Sequence, residues 1–261
     1  MKILVLGHNG MLGHMVIKYL SSLNIEFKII KYRWPSVNFK EEIINSNCDY
    51  LINCISCIPQ KNTNWNNYKD ININLPLFLI KNFKNKIIQP TSDCEFSGTL
   101  KYGCLYEKND VKDATDDYGI SKCHISNILM SNSNVKQIRT SIIGPEIYNN
   151  VSLMEWFFKQ TNKVNGFSNH YWNGITSLEW SKQSLYVIKN WNDLDNVVQI
   201  GTKSISKYNL LCLINKIFKC KKDIVSTDTN FINRCLKSDY VLHDIEKQLI
   251  ELKQFYKKTI V

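Results

Sequence analysis

No apolar run in this chain of 261 residues is long enough to cross a bilayer, so no transmembrane helix is expected. There is no internal repeat or low-complexity stretch, which sets aside solenoid and disordered architectures. The first strand-like run begins at residue 2 and leaves no room for a secretory leader, so a soluble, cytoplasmic protein is expected. The nine cysteines lack paired metal-ligand spacing, which in a reducing compartment reads as free thiols, and no metal site is expected. Cys54-Ile55-Ser56-Cys57 has the C-x-x-C form, but it closes an apolar strand and no second pair follows, which argues against zinc or redox chemistry. The net charge is +10, yet the basic residues are spread along the chain rather than clustered, so no nucleic-acid face is expected. The chain is rich in Lys, Asn and Ile, as an A/T-biased genome would produce. Most of the charge is read as solvated surface, with some suited to anionic nucleotide ligands.

What is present is a chain 44% apolar, enough for a full core in one large α/β domain, alone or with a small lobe. Its first apolar run, Lys2-Ile3-Leu4-Val5-Leu6, turns directly into Gly7-His8-Asn9-Gly10-Met11-Leu12-Gly13. The first glycine of such a turn allows a sharp bend, the second lets a pyrophosphate approach the main chain, and the third lets the helix pack on its strand. The amphipathic stretch Met11, Leu12, Val16, Ile17, Leu20 supplies that helix, whose N-terminal N–H groups and dipole favour phosphate. Dinucleotide binding is the expected use of this turn.

Strand-like runs recur at 25–30, 50–55, 86–91 and 135–140, with helix-like stretches between them that include 71–84 and 118–131. This alternation predicts βαβ units in a doubly wound parallel sheet with helices on both faces. The pattern changes after Gly144-Pro145. Residues 151–162, 177–190, 205–218 and 241–257 read as helical, and Val197-Val198-Gln199-Ile200 reads as a strand returning to the sheet. The expected division is a nucleotide-binding part over 1–144, rejoined by a strand near 196–201, and a mainly substrate-binding lobe over 145–261. That lobe would close over the carboxyl ends of the strands, where open α/β sheets bind ligands.

Tyr118-Gly119-Ile120-Ser121-Lys122 sets a phenol and an ammonium one helical turn apart on one face. The positive charge is expected to lower the tyrosine pKa, and such a tyrosine can protonate a carbonyl oxygen as hydride reaches the carbon. Upstream, Gln89-Pro90-Thr91-Ser92-Asp93-Cys94-Glu95-Phe96-Ser97-Gly98 follows a strand-like run, so its polar residues fall at the carboxyl edge of the sheet. Ser92 is placed there to donate to a developing oxyanion. Alone, each piece also reads as an ordinary helix surface or a capping turn. Together with the glycine turn they make a dehydrogenase site.

These pieces, with Arg139-Thr140-Ser141-Ile142-Ile143-Gly144 and Trp172-Asn173-Gly174-Ile175-Thr176, resemble the short-chain dehydrogenase/reductase superfamily over nearly the whole chain. Within it the chain is most similar to the dTDP-4-dehydrorhamnose reductase family of extended nucleotide-sugar reductases. The resemblance implies a Rossmann-type fold with a small C-terminal α/β substrate lobe and a catalytic triad of Ser92, Tyr118 and Lys122. It further implies that Lys122 holds the nicotinamide ribose and that Arg234 grips the nucleotide diphosphate. A homodimer is a family expectation. The rhamnose enzymes carry a tyrosine where this chain has Cys94, and a different segment at Asn169–Thr176. The Cys94 form, with Arg139-Thr140-Ser141-Ile142-Ile143-Gly144 following, looks more like a branch that reduces UDP-linked 4-keto-6-deoxy sugars, some of them N-acetylated.

Lys31 and Arg33 follow the second strand with no acid between Ile29 and Lys40, which favours NADP(H) over NAD(H), since a cation pairs with the 2′-phosphate. Asn53 and Ser56, after the third strand, are placed either to line the cofactor groove or to cap the turn. Asp93 is grouped with Ser92 and Cys94 on the substrate side. Trp172 and Asn173 either contact sugar or base or pack inside the lobe. His8 and His14 flank the glycine turn without an acidic partner in sequence and are read as non-catalytic.

The expected activity is NADPH-dependent reduction of a nucleotide-linked 4-keto-6-deoxyhexose, UDP- or dTDP-linked, to a deoxysugar nucleotide of rhamnose type. One alternative is a bifunctional 3-epimerase/4-reductase that uses Cys94, with Lys159 as a candidate partner on the opposite ring face. Another is a non-catalytic NADP-binding regulatory subunit, as the regulatory subunit of methionine adenosyltransferase illustrates on a similar fold.

Overall fold

The computed structural model describes residues 1–61, 64–148, 151–161 and 163–258. In the first half β1 (Lys2–Leu6), α1 (Met11–Ser22), β2 (Glu26–Ile29), α2 (Val37–Ile44) and β3 (Tyr50–Asn53) alternate. A short helix α3 (Trp65–Tyr68), a π-helical turn over Lys69–Asn74 and α4 (Leu75–Asn82) lead to β4 (Lys86–Thr91), and α5 (Asp117–Leu129) leads to β5 (Val135–Arg139). The second half holds β6 (Ile142–Ile143), α6 (Leu153–Lys159), β7 (Val164–Phe167), β8 (His170–Trp172), β9 (Ile175–Thr176) and α7 (Ser177–Lys189). It continues with β10 (Val197–Gln199), β11 (Ile205–Ser206), α8 (Lys207–Phe218), β12 (Ile224–Thr227), β13 (Ile232–Asn233) and α9 (Ile245–Lys258).

Six strands form the main sheet in the order β10-β5-β4-β3-β1-β2, every pair parallel. The direction of winding reverses between β1 and β3, which opens a crevice at their carboxyl ends. Side chains alternate across the sheet: Ile3, Val5, Ile52 and Ile88 join the core under α1 and α7, while Leu4, Leu6, Leu51 and Ile87 join the core under α2, α4 and α5. Burial of both faces is why these strands read as continuous apolar runs rather than alternating ones.

The remaining segments build a three-stranded sheet, β11-β8-β13, and the two-stranded pairs β12-β7 and β6-β9. Their core gathers Met154, Phe157, Trp172, Leu210, Ile214, Leu249 and Leu252 around Met15 of α1. Three main-chain bonds dock β13 and the residues after it on the loop that follows β4: Asn233 N–H to Gly98 O (2.8 Å), Tyr106 N–H to Cys235 O (2.8 Å) and Lys237 N–H to Tyr106 O (2.9 Å).

The parallel sheet, the helices on both faces and the return of β10 beside β5 agree with the sequence pattern. Boundaries differ where local chemistry intervenes. The helix expected over 71–84 is α-helical only from Leu75, because its start is taken by the π turn. The helix expected from 241 begins at Ile245, and the one expected from 205 is preceded by β11. Of the helix expected over 151–162, α6 occupies Leu153–Lys159, and residue 162 lies outside the described residues. Helix α2 escaped the apolar periodicity; the Ser36 side chain caps it by accepting from Phe39 N–H. Among the described residues no helix is long and apolar enough to cross a membrane.

Candidate active site

Gly7 ends β1 at φ +75°, and a Cβ there would lie 2.9 Å from the carbonyl carbon and oxygen of Cys54, so only glycine suits both the turn and the close approach of β3. A Cβ on Gly13 would lie 2.1 Å from Gly7 O, which ties the third glycine to the packing of α1 against the turn. Gly10 N–H donates to Gly7 O at 2.9 Å, and the His14 imidazole Nδ1 donates to Gly10 O at 2.9 Å. Burial lowers the His14 pKa, in keeping with a neutral, structural ring. No side chain caps α1 and its first turn carries no acid, so the N–H groups there are free to meet an anion. Leu12 packs into the core, leaving only its main chain for a ligand, whereas His8, Asn9 and Met11 stay at least partly accessible. The turn therefore fits a dinucleotide pyrophosphate.

Lys31 and Arg33 follow β2 on the exposed surface, and neither has an ion pair among the described residues. Asn53 differs from the groove-lining expectation. It is fully buried, donates to Gln89 Oε1 (2.9 Å) and accepts from Ile55 N–H (3.2 Å), so it braces β3 against β4. Ser56 likewise donates to Asn72 Oδ1 (3.1 Å). Asn72, in the π turn, also accepts from Cys57 N–H (2.9 Å) and donates to Cys57 O (3.1 Å) and Ser121 Oγ (3.0 Å). One amide thus fastens the loop after β3 to α5, one residue before Lys122. Its only sequence signal is a polar residue among apolar ones in Asp70-Ile71-Asn72-Ile73.

Helix α5 carries Tyr118 and Lys122 on one face and is capped by Asp116, whose Oδ1 accepts from Gly119 N–H at 2.8 Å. Gly119 permits the contact with the turn after β4: a Cβ there would lie 2.3 Å from Cys94 O. On that turn Ser92 caps Asp93–Glu95, its Oγ accepting from Cys94 N–H at 3.0 Å and donating to Asp93 Oδ1 at 3.1 Å. The Ser92 side chain also bonds the Tyr118 hydroxyl. Ser92, Tyr118 and Lys122 therefore share one wall at the carboxyl edge of the sheet.

The expected lowering of the tyrosine pKa by Lys122 is not what this geometry produces. Burial raises the Tyr118 phenol, with Cys94, Asp93 and Glu95 adding to the effect, and the bond to Ser92 is what opposes it. Tyr118 is consequently a protonated donor. Burial brings the Lys122 ammonium down to about 8, with Glu95 the leading group that opposes the shift. Lys122 is only 3% exposed, its Nζ lies 5.7 Å from the Tyr118 ring centroid, and no hydrogen bond or ion pair from the described residues reaches it. A buried cation left so is poised for acceptors that the protein does not itself supply.

Cys94 sits between Asp93 and Arg234. Burial, reinforced by the Asp93 charge, pushes its thiol up to about 12, and the Arg234 guanidinium 3.9 Å away only partly offsets this. The group stays a thiol, which sets it against the base role of the epimerase alternative. Lys159 is no partner for it: it is exposed at the end of α6. Besides Arg234, a second cation shares the surroundings of Cys94: Lys207, which sequence reasoning missed. It opens α8, lies 5.5 Å over the Trp172 ring, and shares its surroundings with Asp93, Cys94, Cys235 and Arg234. Burial lowers its pKa. Arg234 is anchored by its Nε–H to Phe96 O (2.9 Å), beside the turn after β4.

Trp172 and Asn173 turn out to be internal. Trp172 is 3% exposed in the lobe core, and Asn173 donates to Leu236 O (2.7 Å) and accepts from Leu236 N–H (2.9 Å). Asn173 holds the segment after Arg234 in place rather than contacting a ligand. Among the described residues no cluster of three or more His, Cys, Asp or Glu could hold a metal.

The doubly wound sheet and its glycine turn define a nucleotide-binding α/β protein. The model of the NAD dependent epimerase/dehydratase family matches residues 3–146, more than half of the chain, and the chain belongs to that family. Solved structures with the same fold include a dTDP-4-dehydrorhamnose reductase from Clostridium acetobutylicum, 19% identical with a TM-score of 0.79 over 98% of this chain and 100% of that one. Another, from Bacillus anthracis in complex with NADP, is 14% identical with a TM-score of 0.82 over 98% of each chain. A dTDP-glucose 4,6-dehydratase from Bacillus anthracis in complex with NAD is 16% identical with a TM-score of 0.75 over 99% of this chain and 97% of that one. No curated protein matches the chain.

Proposed function

We propose that this protein is an NADPH-dependent reductase of a nucleotide-linked 4-keto-6-deoxyhexose, with UDP or dTDP as the nucleotide. The observation that carries the reading is Lys122, buried beside Tyr118 and Ser92 with no hydrogen bond or ion pair from the described residues, at the strand ends next to a turn that fits a pyrophosphate. A nicotinamide held there would supply hydride to the carbonyl carbon. Tyr118, kept as a phenol by burial, gives its proton to the carbonyl oxygen, so that the ketone becomes an alcohol. Ser92 donates to the same oxygen as negative charge gathers there. Lys122, protonated roughly ten to one at neutral pH from a midpoint near 8, lends positive charge to that wall and donors to the nearby ribose. Lys31 and Arg33 support NADPH, because both are exposed and neither has an ion pair among the described residues. Arg234 and Lys207 face the substrate from the lobe side as the cations for its diphosphate.

Plain reduction is favoured over the bifunctional alternative because Cys94 remains a thiol. The test is a panel of UDP- and dTDP-4-keto-6-deoxysugars, with and without an N-acetyl group, followed by NADPH absorbance. The reading requires turnover that falls by ~10²- to 10⁴-fold in Tyr118→Phe with NADPH affinity retained. Undiminished turnover in that variant removes Tyr118 as the proton donor. No turnover across the panel, with tight NADPH binding and a co-purifying protein, favours a regulatory subunit instead.

A further inference from the structure

The segment that follows β13 and carries Arg234 runs from the lobe sheet to the end of β10, and one side chain fastens it there. Gln199, the last residue of β10, is fully buried. Its Nε2 donates to Tyr106 O (2.8 Å) and Lys237 O (3.0 Å), and its Oε1 accepts from Arg139 Nη1 (2.9 Å). Both N–H groups of the amide are therefore used, and only one orientation works: turned over, it would set its oxygen against two carbonyls and its N–H groups against a guanidinium. The main chain of Gln199 joins in, its N–H donating to Asp239 Oδ2 (2.9 Å) and its carbonyl accepting from Asp239 N–H (2.8 Å).

What sets that orientation is Arg139 on β5, itself fully buried. Its Nη1 also donates to Lys108 O (2.9 Å), and its Nη2 lies 2.9 Å from Glu95 Oε2. Glu95 follows Cys94 in the Ser92 turn and is held from three elements: the Thr91 hydroxyl on β4, Arg139 on β5, and the Cys123 thiol of α5, which donates to Glu95 O at 3.3 Å. Phe96, the next residue, stacks on the Tyr106 ring at 4.2 Å and accepts the Arg234 Nε–H at its carbonyl. A buried polar chain thus runs from the Ser92 turn through Glu95, Arg139 and Gln199 to the segment that carries Arg234. For stability alone it has little to recommend it, since well-packed apolar side chains often replace buried ion pairs at no loss. Its two ends offer another use, because a substrate gripped at its diphosphate must present its carbonyl to Ser92 and Tyr118 at a set distance, and a misplacement of ~1 Å is costly. We propose that Gln199 is a positioning residue that acts through Arg234, holding the segment 234–237 at the distance from the Ser92 turn that the substrate spans. The inference rests on the reading of Arg234 as a cation for the diphosphate. Gln199 has no exposed surface and works only through what it holds.

The experiment titrates UDP and dTDP into the full chain by calorimetry, with NADPH affinity read beside them by fluorescence. In Gln199→Met the affinity for the nucleotide that binds falls ~10-fold with NADPH affinity unchanged, and in ketosugar turnover KM rises while kcat holds. Gln199→Glu keeps the shape and the Arg139 contact but sets an oxygen against the Tyr106 and Lys237 carbonyls. It should show the same loss, and it serves where Gln199→Met does not fold. In an Arg234→Met background, Gln199→Met brings no further loss, because the two act as one unit. A merely structural role would add its loss to that of Arg234→Met, and additive losses overturn the inference, as does unchanged affinity in the folded single variants. A wild-type chain that binds neither UDP nor dTDP overturns it as well. Coupled losses in a protein that reduces no ketosugar leave the inference standing and overturn the reductase reading instead.

Discussion

Replacing Gly119 by alanine tests whether the catalytic wall depends on how closely α5 meets the turn after β4. The added Cβ would lie 2.3 Å from Cys94 O and 2.6 Å from the Ala114 Cβ. A relaxed carbon–oxygen contact is about 3.3 Å or more, so the helix start must retreat by about 1 Å. Two effects then oppose each other in stability. Alanine is the better helix residue by ~1 kcal/mol, while overpacking a tight contact costs ~1–3 kcal/mol. The net loss is ~0–2 kcal/mol, which in a chain of this size lowers Tm by no more than about 8 °C. Catalysis has no such compensation, because Tyr118 precedes the substituted residue and must still reach Ser92. A displacement of that size costs ~10²-fold in rate. The assay pairs a thermal melt with steady-state NADPH oxidation by the best ketosugar, and the expected result is a rate down ~100-fold in a protein that melts within a few degrees of wild type. Gly103→Ala is the control: Gly103 has φ +82° but nothing within 4 Å of its added Cβ, so it should lose up to ~2 kcal/mol of stability and keep its rate. A Gly119→Ala protein that melts higher and turns over normally refutes the reasoning, for it would mean that the approach of α5 is not what aligns the site.

Lys207→Met should raise KM for the sugar nucleotide at least ~10-fold while leaving NADPH affinity, read by fluorescence titration, unchanged. Combined Lys31→Ala and Arg33→Ala should lower the preference for NADPH over NADH by ~10- to 100-fold in kcat/KM, the range expected when charge-assisted bonds to a phosphate are lost. Lys122→Met should abolish reduction yet stabilise the fold by ~2 kcal/mol at neutral pH in denaturant melts, because it removes an unpaired buried charge. Burial brings the Lys122 ammonium down to about 8 in the folded chain, against an ordinary lysine value of 10.5. Between those values the unfolded chain binds more protons, so the Lys122 contribution to stability rises with pH there, and that rise should be missing in Lys122→Met.

What was legible in the sequence was whatever repeats at a fixed spacing. Strands buried on both faces show as apolar runs, and the glycine turn announces its own geometry because each glycine answers a separate steric demand. Tyr118 and Lys122 could be paired because helical spacing is local. The parts that stayed hidden are those fixed by distant partners. For Asn53 and Asn173 the sequence left a ligand contact and a structural use equally open; in the fold their amides bond Gln89, Ile55 and Leu236, the first 36 and the last 63 residues away in the chain. Asn72 and Glu95 looked unremarkable, since neither the π turn nor the meeting of β4, β5 and α5 can be read from neighbours in sequence. The sign of the Tyr118 shift was misjudged for the same reason: spacing supplies Lys122, while burial, which dominates, comes from the whole fold.

Lys207 shows what finally separates a site cation from the other 32 basic residues of the chain. It opens α8, where the helix dipole disfavours positive charge, and it faces a second cation, Arg234, in surroundings that depress its pKa. Lys122 is likewise buried, with no hydrogen bond or ion pair reaching it from the described residues. Folding gains nothing from either placement, since an exposed lysine would avoid the desolvation that each suffers. On the proposed reading, two such lysines suit negative charge and acceptor oxygens brought by ligands. A dinucleotide on the glycine-turn side and a diphosphate-linked sugar on the lobe side meet that demand together, which ties the electrostatics of the cleft to the two ligands that the proposed reduction needs.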